Sequence, residues 1–291
     1  MVKSKKNLQK SSLAKRSVQK FMKNIPAVVG LFITVIIVFA CIFAPLLTPH
    51  DPAFIDPPNK NIGPCAEYLL GTDRLGRDIF SRILYGGRVS LFIGIGAALS
   101  SGLIGSAMGA AAGYYGGKVD LIIMAITEIF SVFPTTLLIM LLTGVFEPSV
   151  FTTLAVMCLF NWTGFVRMIR SRMLTLREEP FVDSCRANGI GNASIIFHHL
   201  IPNNMGIFIQ QMSTAVGTFI LAEAGLSYLG FGVPADVPTW GNILSAAQNL
   251  QTIQTYPMLW IAPGVTICLL CLSLYYVGDG LRAALDPTTT K

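Results

Sequence analysis

Charged residues are scarce in this sequence. Only 12% of its 291 residues are Asp, Glu, Lys or Arg, while 53% are hydrophobic, and a soluble domain carries about 25% charged residues. The mean hydropathy is +0.62. This combination excludes an ordinary soluble globular domain and indicates a chain whose main solvent is lipid.

The sequence also lacks the motifs with which a chain hydrolyses a nucleotide or a peptide bond. The nearest approach to a phosphate-binding loop, Gly116-Gly117-Lys118-Val119, has neither the Ser or Thr nor the leading Gly at the required distance. The histidines form no HExxH motif, and the six cysteines suggest no disulfide framework. We therefore predict no catalytic residue, no metal site and no cofactor in this chain.

Long apolar runs are what the sequence does contain. A transmembrane helix needs about 20 mostly apolar residues, and six stretches meet this requirement. They are residues 27–47, 90–112, 121–143, 150–166, 205–227 and 258–277. The sequence therefore predicts an all-α integral membrane protein with six transmembrane helices.

The basic residues predict how these helices are oriented. The first 24 residues hold eight Lys or Arg and no acidic residue, and the positive-inside rule places such a tail in the cytoplasm. Six spans then return the C-terminus to the same side. Because the lysines of the tail are scattered, we expect membrane lipid rather than nucleic acid to be its neighbour.

These features divide the chain into four segments. Residues 1–24 form a basic cytoplasmic tail, and 25–85 hold the first span and a long outer loop. Residues 86–280 form a block of five spans that contains the cytoplasmic loop 176–203. Residues 281–291 form a cytoplasmic C-terminal tail.

Two local patterns predict how the second span is bounded and packed. Residues 78–84 predict a capped amphipathic turn or two that lies at the outer interface beside this span. Within the span, Gly105, Gly109 and Gly113 recur every four residues, a spacing that lets two helices approach closely. We favour a static packing seam here over a moving one.

Two carboxylates, Glu128 and Glu223, lie inside predicted spans. An acid inside the membrane is costly and faces protein or water rather than lipid. The two residues could form a proton relay in a secondary transporter, or each could be paired structurally. Because no intramembrane Lys or Arg completes a relay, we favour structural pairing.

The cytoplasmic loop between the fourth and fifth spans contains clear helix signals. Pro180 suits a first helical position and Gly189 suits a left-handed helix stop, which predicts a short helix between them. Asn192 can cap a second helix, residues 193–201, that ends at Pro202. A short, stiff helix held between two spans can dock in a groove on another protein and transmit a push to both spans.

This loop and three other segments resemble the permease subunits of binding-protein-dependent ABC importers, in the dipeptide/oligopeptide/nickel group. The segments are residues 70–82; Asp183-Ser184-Cys185 with Gly189 and Leu200-Ile201-Pro202; residues 227–232 with Trp240-Gly241; and residues 278–282 with 285–287. The Asp183-Ser184-Cys185 core departs from the Glu-Ala-Ala of the family pattern, but it keeps the acid and the small size of the next two side chains.

The resemblance implies the type I ABC importer permease fold, with both termini cytoplasmic, in the inner or plasma membrane of a prokaryotic cell. Residues 86–280 would be its ABC type-1 transmembrane domain. The chain would be no enzyme, since two cytoplasmic ATPase subunits bind the ATP and Mg. A homologous second permease chain and an extracytoplasmic substrate-binding protein complete the implied assembly.

The resemblance also implies roles for residues and for cargo. Coupling to the ATPases is assigned to Asp183, Ser184, Cys185, Gly189 and Pro202. The expected function is import of di- or oligopeptides by alternating access. Nickel or a metal–chelate complex is the alternative cargo of the same machine, and a proton-coupled secondary transporter that uses the two intramembrane acids is less favoured.

Overall fold

The computed structural model describes residues 16–285, which are mostly helical. Within this range the only β pairing is one antiparallel bridge between Thr72 and Asp78. Residues 16–23 are helical. The helices that follow are α1 (Ile25–Ile42), α2 (Ile79–Tyr115), α3 (Gly117–Val132), α4 (Thr135–Val145), α5 (Val150–Phe160), α6 (Thr163–Leu176), α7 (Pro180–Ala187), α8 (Asn192–Tyr228), α9 (Trp240–Leu244), α10 (Leu250–Thr255) and α11 (Met258–Leu285). Short turns of helix lie at Ala44–Leu47, Pro57–Asn59 and Ser245–Gln248.

Five elements of this structure are long and apolar enough to cross a membrane. They are α1, α2, α5 together with α6, α8 and α11. The pair α3 and α4 makes a sixth crossing when it is counted as one bent span. The prediction of an all-α membrane protein is confirmed.

The third predicted span, residues 121–143, is not one continuous helix. α3 and α4 meet at an angle of 74°, and Phe133 between them is extended, with φ −87° and ψ 137°. Pro134 follows it. A proline has no N–H, its ring clashes with the carbonyl four residues earlier, and it disfavours helical backbone in the residue before it. The apolar run is long enough to cross, but its proline breaks the helix.

α2 begins earlier than predicted. The carboxylate of Asp78 accepts hydrogen bonds from the N–H groups of Phe80 (3.3 Å) and Ser81 (2.9 Å), so that Asp78 is the N-cap. Residues 78–84 therefore form the first turns of α2 itself, and not a separate piece beside it. Most of their side chains are buried, which explains why the helix continues through them.

A seam of glycines joins α2 to α6, as the four-residue spacing predicts. A Cβ atom on Gly109 would lie 2.6 Å from the carbonyl oxygen of Val166, and one on Gly113 would lie 2.7 Å from that of Arg170. A Cβ on Gly105 would meet the same helix. Because no side chain separates the two helices here, their backbones approach closely.

α11 is packed between α1 and α8. The hydroxyls of Thr34 in α1 and Ser273 in α11 lie 2.8 Å apart, and a Cβ on Gly30 would lie 2.8 Å from the carbonyl oxygen of Ser273. On the other side, Cys271 donates to the carbonyl of Gly217 in α8 at 3.4 Å. α11 extends to Leu285, so the predicted start of the C-terminal tail at residue 281 falls inside a helix. Residues 1–15 and 286–291, which include most of the predicted basic tail, lie outside the described residues.

The loop that leads into α2 is built around Asp73. Its carboxylate accepts hydrogen bonds from the N–H groups of Leu75 (2.8 Å) and Arg77 (3.0 Å), and it pairs with the Arg77 guanidinium at 2.7 Å. Gly76 completes the turn with φ +78°. Only glycine fits here, because a Cβ would collide with the carbonyl of Asp56.

Candidate coupling site and intramembrane carboxylates

α7 lies in the loop predicted to be the coupling site, and the predicted helix is confirmed. It begins at Pro180. The missing N–H of this proline costs no hydrogen bond, because N–H groups in the first turn have no partner within the helix. It ends where Gly189 takes φ +72°. The N–H of Gly189 donates to Arg186 at 2.9 Å and the N–H of Ile190 donates to Cys185 at 3.1 Å. These two bonds are those of a Schellman motif, which closes a helix with a left-handed residue.

Val182 anchors α7 to the rest of the chain. Its side chain is fully buried in a cluster contributed by the end of α2, by α6 and by the start of α8. The buried members of that cluster are Ala110, Tyr114, Ile169, Met173, Val182, Ile195, Ile196 and Leu200. The Arg186 guanidinium also lies 5.7 Å from the centre of the Tyr114 ring. α7 is therefore packed against three membrane-spanning elements at once.

The three residues of the predicted coupling core point in two directions. Asp183 and Ser184 are exposed, and the carboxylate of Asp183 lies 3.3 Å from the guanidinium of Arg186. Cys185 is half-buried and packs against the α7 cluster together with Ile190. The chain thus presents Asp183 and Ser184 outward and uses Cys185 to hold the helix in place.

The second helix of the loop differs from the prediction at both ends. Gly191, not Asn192, is the N-cap, and the helix does not end at Pro202 but continues as α8. A π turn, Ile196–Leu200, immediately precedes this part of the helix. In a π turn each N–H bonds to the carbonyl five residues back instead of four. In a regular α-helix the ring of a proline would clash with the carbonyl four residues back, and the π turn relieves this conflict. Pro202 is therefore incorporated near the beginning of a long helix.

Two hydrogen bonds tie this loop to the end of α2. The hydroxyl of Tyr114 donates to the side-chain oxygen of Asn192 at 2.8 Å. The guanidinium of Arg177 donates to the carbonyl oxygen of Gly113 at 3.2 Å. Together with the α7 cluster, these bonds connect any displacement of α7 to α2 as well as to its sequence neighbours α6 and α8.

Glu223 is buried at the opposite end of α8 from the loop. Its side chain has no exposed surface. One carboxylate oxygen accepts from the hydroxyl of Ser90 at 2.9 Å and the other accepts from that of Ser227 at 2.8 Å. The segment that leads into α9 joins this network, because the backbone N–H of Trp240 donates to the Ser90 hydroxyl at 3.3 Å. The carboxylate therefore links α2, α8 and the segment that leads into α9.

Glu128 has a different environment. It lies in α3 with its side chain exposed, and no residue that the structure describes forms a hydrogen bond or ion pair with it. Asp120 in the same helix is paired, because Arg170 of α6 donates to it through two nitrogens, one at 2.6 Å. The structure does not bring Glu128 and Glu223 together as partners.

Comparison with known proteins decides the family. Residues 103–291 match the family model described as "binding-protein-dependent transport system inner membrane component". The chain belongs to this family. In addition, residues 12–64 match the model of the N-terminal transmembrane domain of oligopeptide transport permease C. This transport component is accordingly a multi-pass protein of the inner membrane.

Three relatives illustrate the similarity. The dipeptide transport system permease protein DppC of Alkalihalophilus pseudofirmus is 41% identical over 92% of this chain and 88% of the relative. The oligopeptide transport system permease protein OppC of Bacillus subtilis is 38% identical over 99% and 93%. The glutathione transport system permease protein GsiD of Pectobacterium atrosepticum is 35% identical over 92% and 89%.

The third of the segments that resembled the family in sequence packs against α2 and α8 in the structure of this transport component. Trp240 is fully buried and donates its indole N–H to the carbonyl of Ile83 in α2 at 3.0 Å. Its backbone N–H donates to Ser90 at 3.3 Å. A Cβ on Gly241 would lie 2.7 Å from the backbone of Ala224. The third segment is thus joined, around Glu223, to the part of α2 that follows the first segment.

Sequence reasoning missed the partners of the predicted site residues. Ser90 binds Glu223 and Tyr114 binds the coupling loop, yet each is a common residue in a span. Hydropathy and short motifs do not pair residues that lie more than 70 positions apart. The buried Trp240 was the one signal available, since the sequence already placed it in a segment of the resemblance.

Proposed function

We propose that this permease forms half of the translocation pathway for di- or oligopeptides and that a homologous second permease chain forms the other half. The support for the cargo is that relatives covering nearly the whole chain are named for dipeptide and oligopeptide transport. These names favour peptides over nickel or a metal–chelate complex. Alternating access would move the cargo by rigid-body rocking of the two permeases.

α7 is the proposed docking element for the ATPase. Two cytoplasmic ATPase subunits would bind ATP and Mg, and the exposed Asp183 and Ser184 would enter a groove on one of them. Cys185, Gly189 and Pro202 would act indirectly, the first two by holding and closing α7 and the third by starting the rigid part of α8. The single observation that carries this role is that α7 is packed on α2, α6 and α8 through Val182.

The proposed orientation places α7 and both termini in the cytoplasm. This orientation also underlies the four segments proposed from the sequence, residues 1–24, 25–85, 86–280 and 281–291. The loop before α2 and the segment between α8 and α11 would then face outward, where an extracytoplasmic substrate-binding protein delivers its cargo. A reporter enzyme that is active only in the cytoplasm should therefore be active when it is fused after residue 291. An inactive fusion would contradict this orientation.

Uptake by the reconstituted complex tests the docking role. Asp183→Arg reverses an exposed charge on α7, and Gly189→Pro forbids the left-handed backbone that closes it. We expect both variants to insert and assemble, and to hydrolyse ATP while peptide uptake falls about tenfold or more. Lys118→Glu is the matched control, because it reverses an exposed charge in the first turn of α3.

Two results would contradict this proposal in different ways. Normal ATP-driven uptake in both α7 variants would remove the docking role but leave the peptide permease in place. Uptake driven by a pH gradient in the absence of the ATPase subunits would instead favour a proton-coupled secondary transporter.

A further inference from the structure

Glu128 carries a charge into the membrane without a partner among residues 16–285. It is the twelfth residue of α3, so it lies roughly 16 Å from the first residue of that helix at a rise of 1.5 Å per residue. Its side chain is exposed, and it pairs with no residue in the described range 16–285. A carboxylate at such a depth faces protein or a water-filled cavity rather than lipid.

The other side chains of α3 show which side of the helix is apolar. From Leu121 onward, a broad exposed face carries only hydrophobic residues, and Lys118 lies on this face at the start of the helix. The hydrophobic residues are Leu121, Ile122, Ala125, Ile126, Ile129 and Val132. Ser131 is three residues after Glu128 and therefore lies beside it on the helix surface, and its hydroxyl donates to the backbone carbonyl of Thr127 at 2.7 Å. Glu128 is therefore at the border between a lipid-compatible face and a polar flank.

The break in the span adds negative potential beside Glu128. α3 ends at Val132, one helical turn beyond the carboxylate. The last carbonyls of a helix have no intrahelical partner and carry a partial negative charge. Broken helices are tolerated at membrane depth where they line a cavity or are covered by protein. The carbonyl oxygens at the end of α3 and the carboxylate of Glu128 are both negative and lie within one turn of each other.

The other two acids of this region show how the fold treats a carboxylate with a structural role. Glu223 accepts from two serine hydroxyls at 2.8 and 2.9 Å, and Asp120 is paired with Arg170. Glu128 is given neither kind of partner. No described residue neutralises its negative charge, which is therefore available to a positively charged group that binds there.

We propose that Glu128 faces the translocation pathway and receives the α-ammonium group of a peptide as the peptide crosses the membrane. An ammonium group has three donors and no acceptor, which suits one carboxylate and the free carbonyls at the end of α3. This inference rests on the proposed function. It makes Glu128 a cargo-binding residue that distinguishes peptides with a free amino terminus from those without one.

The first experiment measures uptake by the reconstituted complex with two cargoes. One is a dipeptide, and the other is the same dipeptide with hydrogen in place of its α-ammonium group. Glu128→Gln should lower kcat/KM for the dipeptide about tenfold, and Glu128→Asp should recover most of that loss. Neither variant should change uptake of the des-amino cargo more than about twofold.

A structural ion pair with the second permease chain predicts another pattern. Glu128→Gln would then weaken copurification of the two permeases and lower uptake of both cargoes equally, and this result would overturn the inference. A wild-type complex that imports no peptide would contradict the proposed function itself. A complex that imports peptide equally well with Gln at this position contradicts only the role of Glu128.

The second experiment does not depend on whether the des-amino cargo is delivered. A water-soluble carbodiimide with an amine nucleophile is applied to the wild-type complex, and modified residues are identified by mass spectrometry. Glu128 should be labelled, and saturating dipeptide should reduce its labelling several-fold, while the buried Glu223 stays unlabelled as an internal control. Labelling of Glu128 that is absent, or unaffected by the dipeptide, would reject its position in the pathway.

Discussion

At the scale of single residues, the two intramembrane acids show that the same side chain can serve opposite purposes. Glu223 is enclosed, and each of its carboxylate oxygens accepts a hydrogen bond from a serine. Glu128 is exposed and has no partner among the described residues. The first arrangement satisfies a buried polar group inside one chain. The second leaves a charge for something outside the chain.

The structural role of Glu223 can be tested by substitution. Glu223→Leu would leave the hydroxyls of Ser90 and Ser227 buried without this partner, and each unsatisfied group costs about 2 kcal/mol. We expect a clear loss of thermal stability in detergent, measured by fluorescence-detected size exclusion. Glu223→Gln keeps the shape and one acceptor oxygen, and its loss should be smaller.

A proton relay through Glu223 would give the reverse pattern. Glu223→Gln would then preserve the stability of the protein and abolish uptake. That outcome would contradict the structural role.

At the scale of elements, the sequence predicted the glycine seam at which α2 and α6 approach each other closely. The Cβ positions of Gly105, Gly109 and Gly113 are blocked by backbone or Cβ atoms of the facing helix. Such atoms cannot rotate away as the end of a flexible side chain can. The seam therefore sets the distance between α2 and the helix that leads into the coupling loop.

Substitution of one seam glycine should separate the two helices. Gly109→Ala places a Cβ 2.6 Å from the carbonyl oxygen of Val166, and overpacking of this kind costs about 2 kcal/mol. The thermal unfolding midpoint should fall. Gly164→Ala is the matched control, because a Cβ there meets nothing within 4 Å and alanine favours helix. An equal effect of both substitutions would reject the seam as the cause.

The coupling loop shows a second lesson at the same scale. The boundaries of α7 are local, since Pro180 and Gly189 start and stop a helix wherever they stand. The start of α8 is not local in this sense. Asn192 is engaged by Tyr114 at 2.8 Å and Ile195 is buried in the α7 cluster, so that packing carries the helix past Pro202.

At the scale of the whole molecule, the loop before α2 and the segment between α8 and α11 are far apart in sequence but form one surface. The guanidinium of Arg74, in the loop before α2, donates to the hydroxyl of Thr252 in α10 at 2.6 Å and to the carbonyl of Ala246 at 3.4 Å. Trp240 in α9 also joins these two regions, because its indole N–H donates to the carbonyl of Ile83 in α2. The loop before α2 and the segment between α8 and α11 are therefore held to each other and to α2.

Removal of the Arg74 contact should loosen the second outer segment without unfolding the protein. In Arg74→Ala we expect faster hydrogen exchange in residues 249–257 and a change in stability of about 1 kcal/mol or less. Lys60→Ala is the control, since Lys60 is also exposed in the first loop but forms no such contact. Unchanged exchange in Arg74→Ala would mean that the two segments are held by other contacts.

The sequence by itself determined the membrane fold, the number of crossings counted with the bent pair, the family and the limits of α7. Each of these depends on composition, on an apolar run or on residues close together in the chain. Only the tertiary structure decided the course of α8 through Pro202, the partners of Glu223 and the lack of a partner for Glu128 among the described residues. These features depend on which distant side chains are brought within hydrogen-bonding distance, and that is set by how the helices pack.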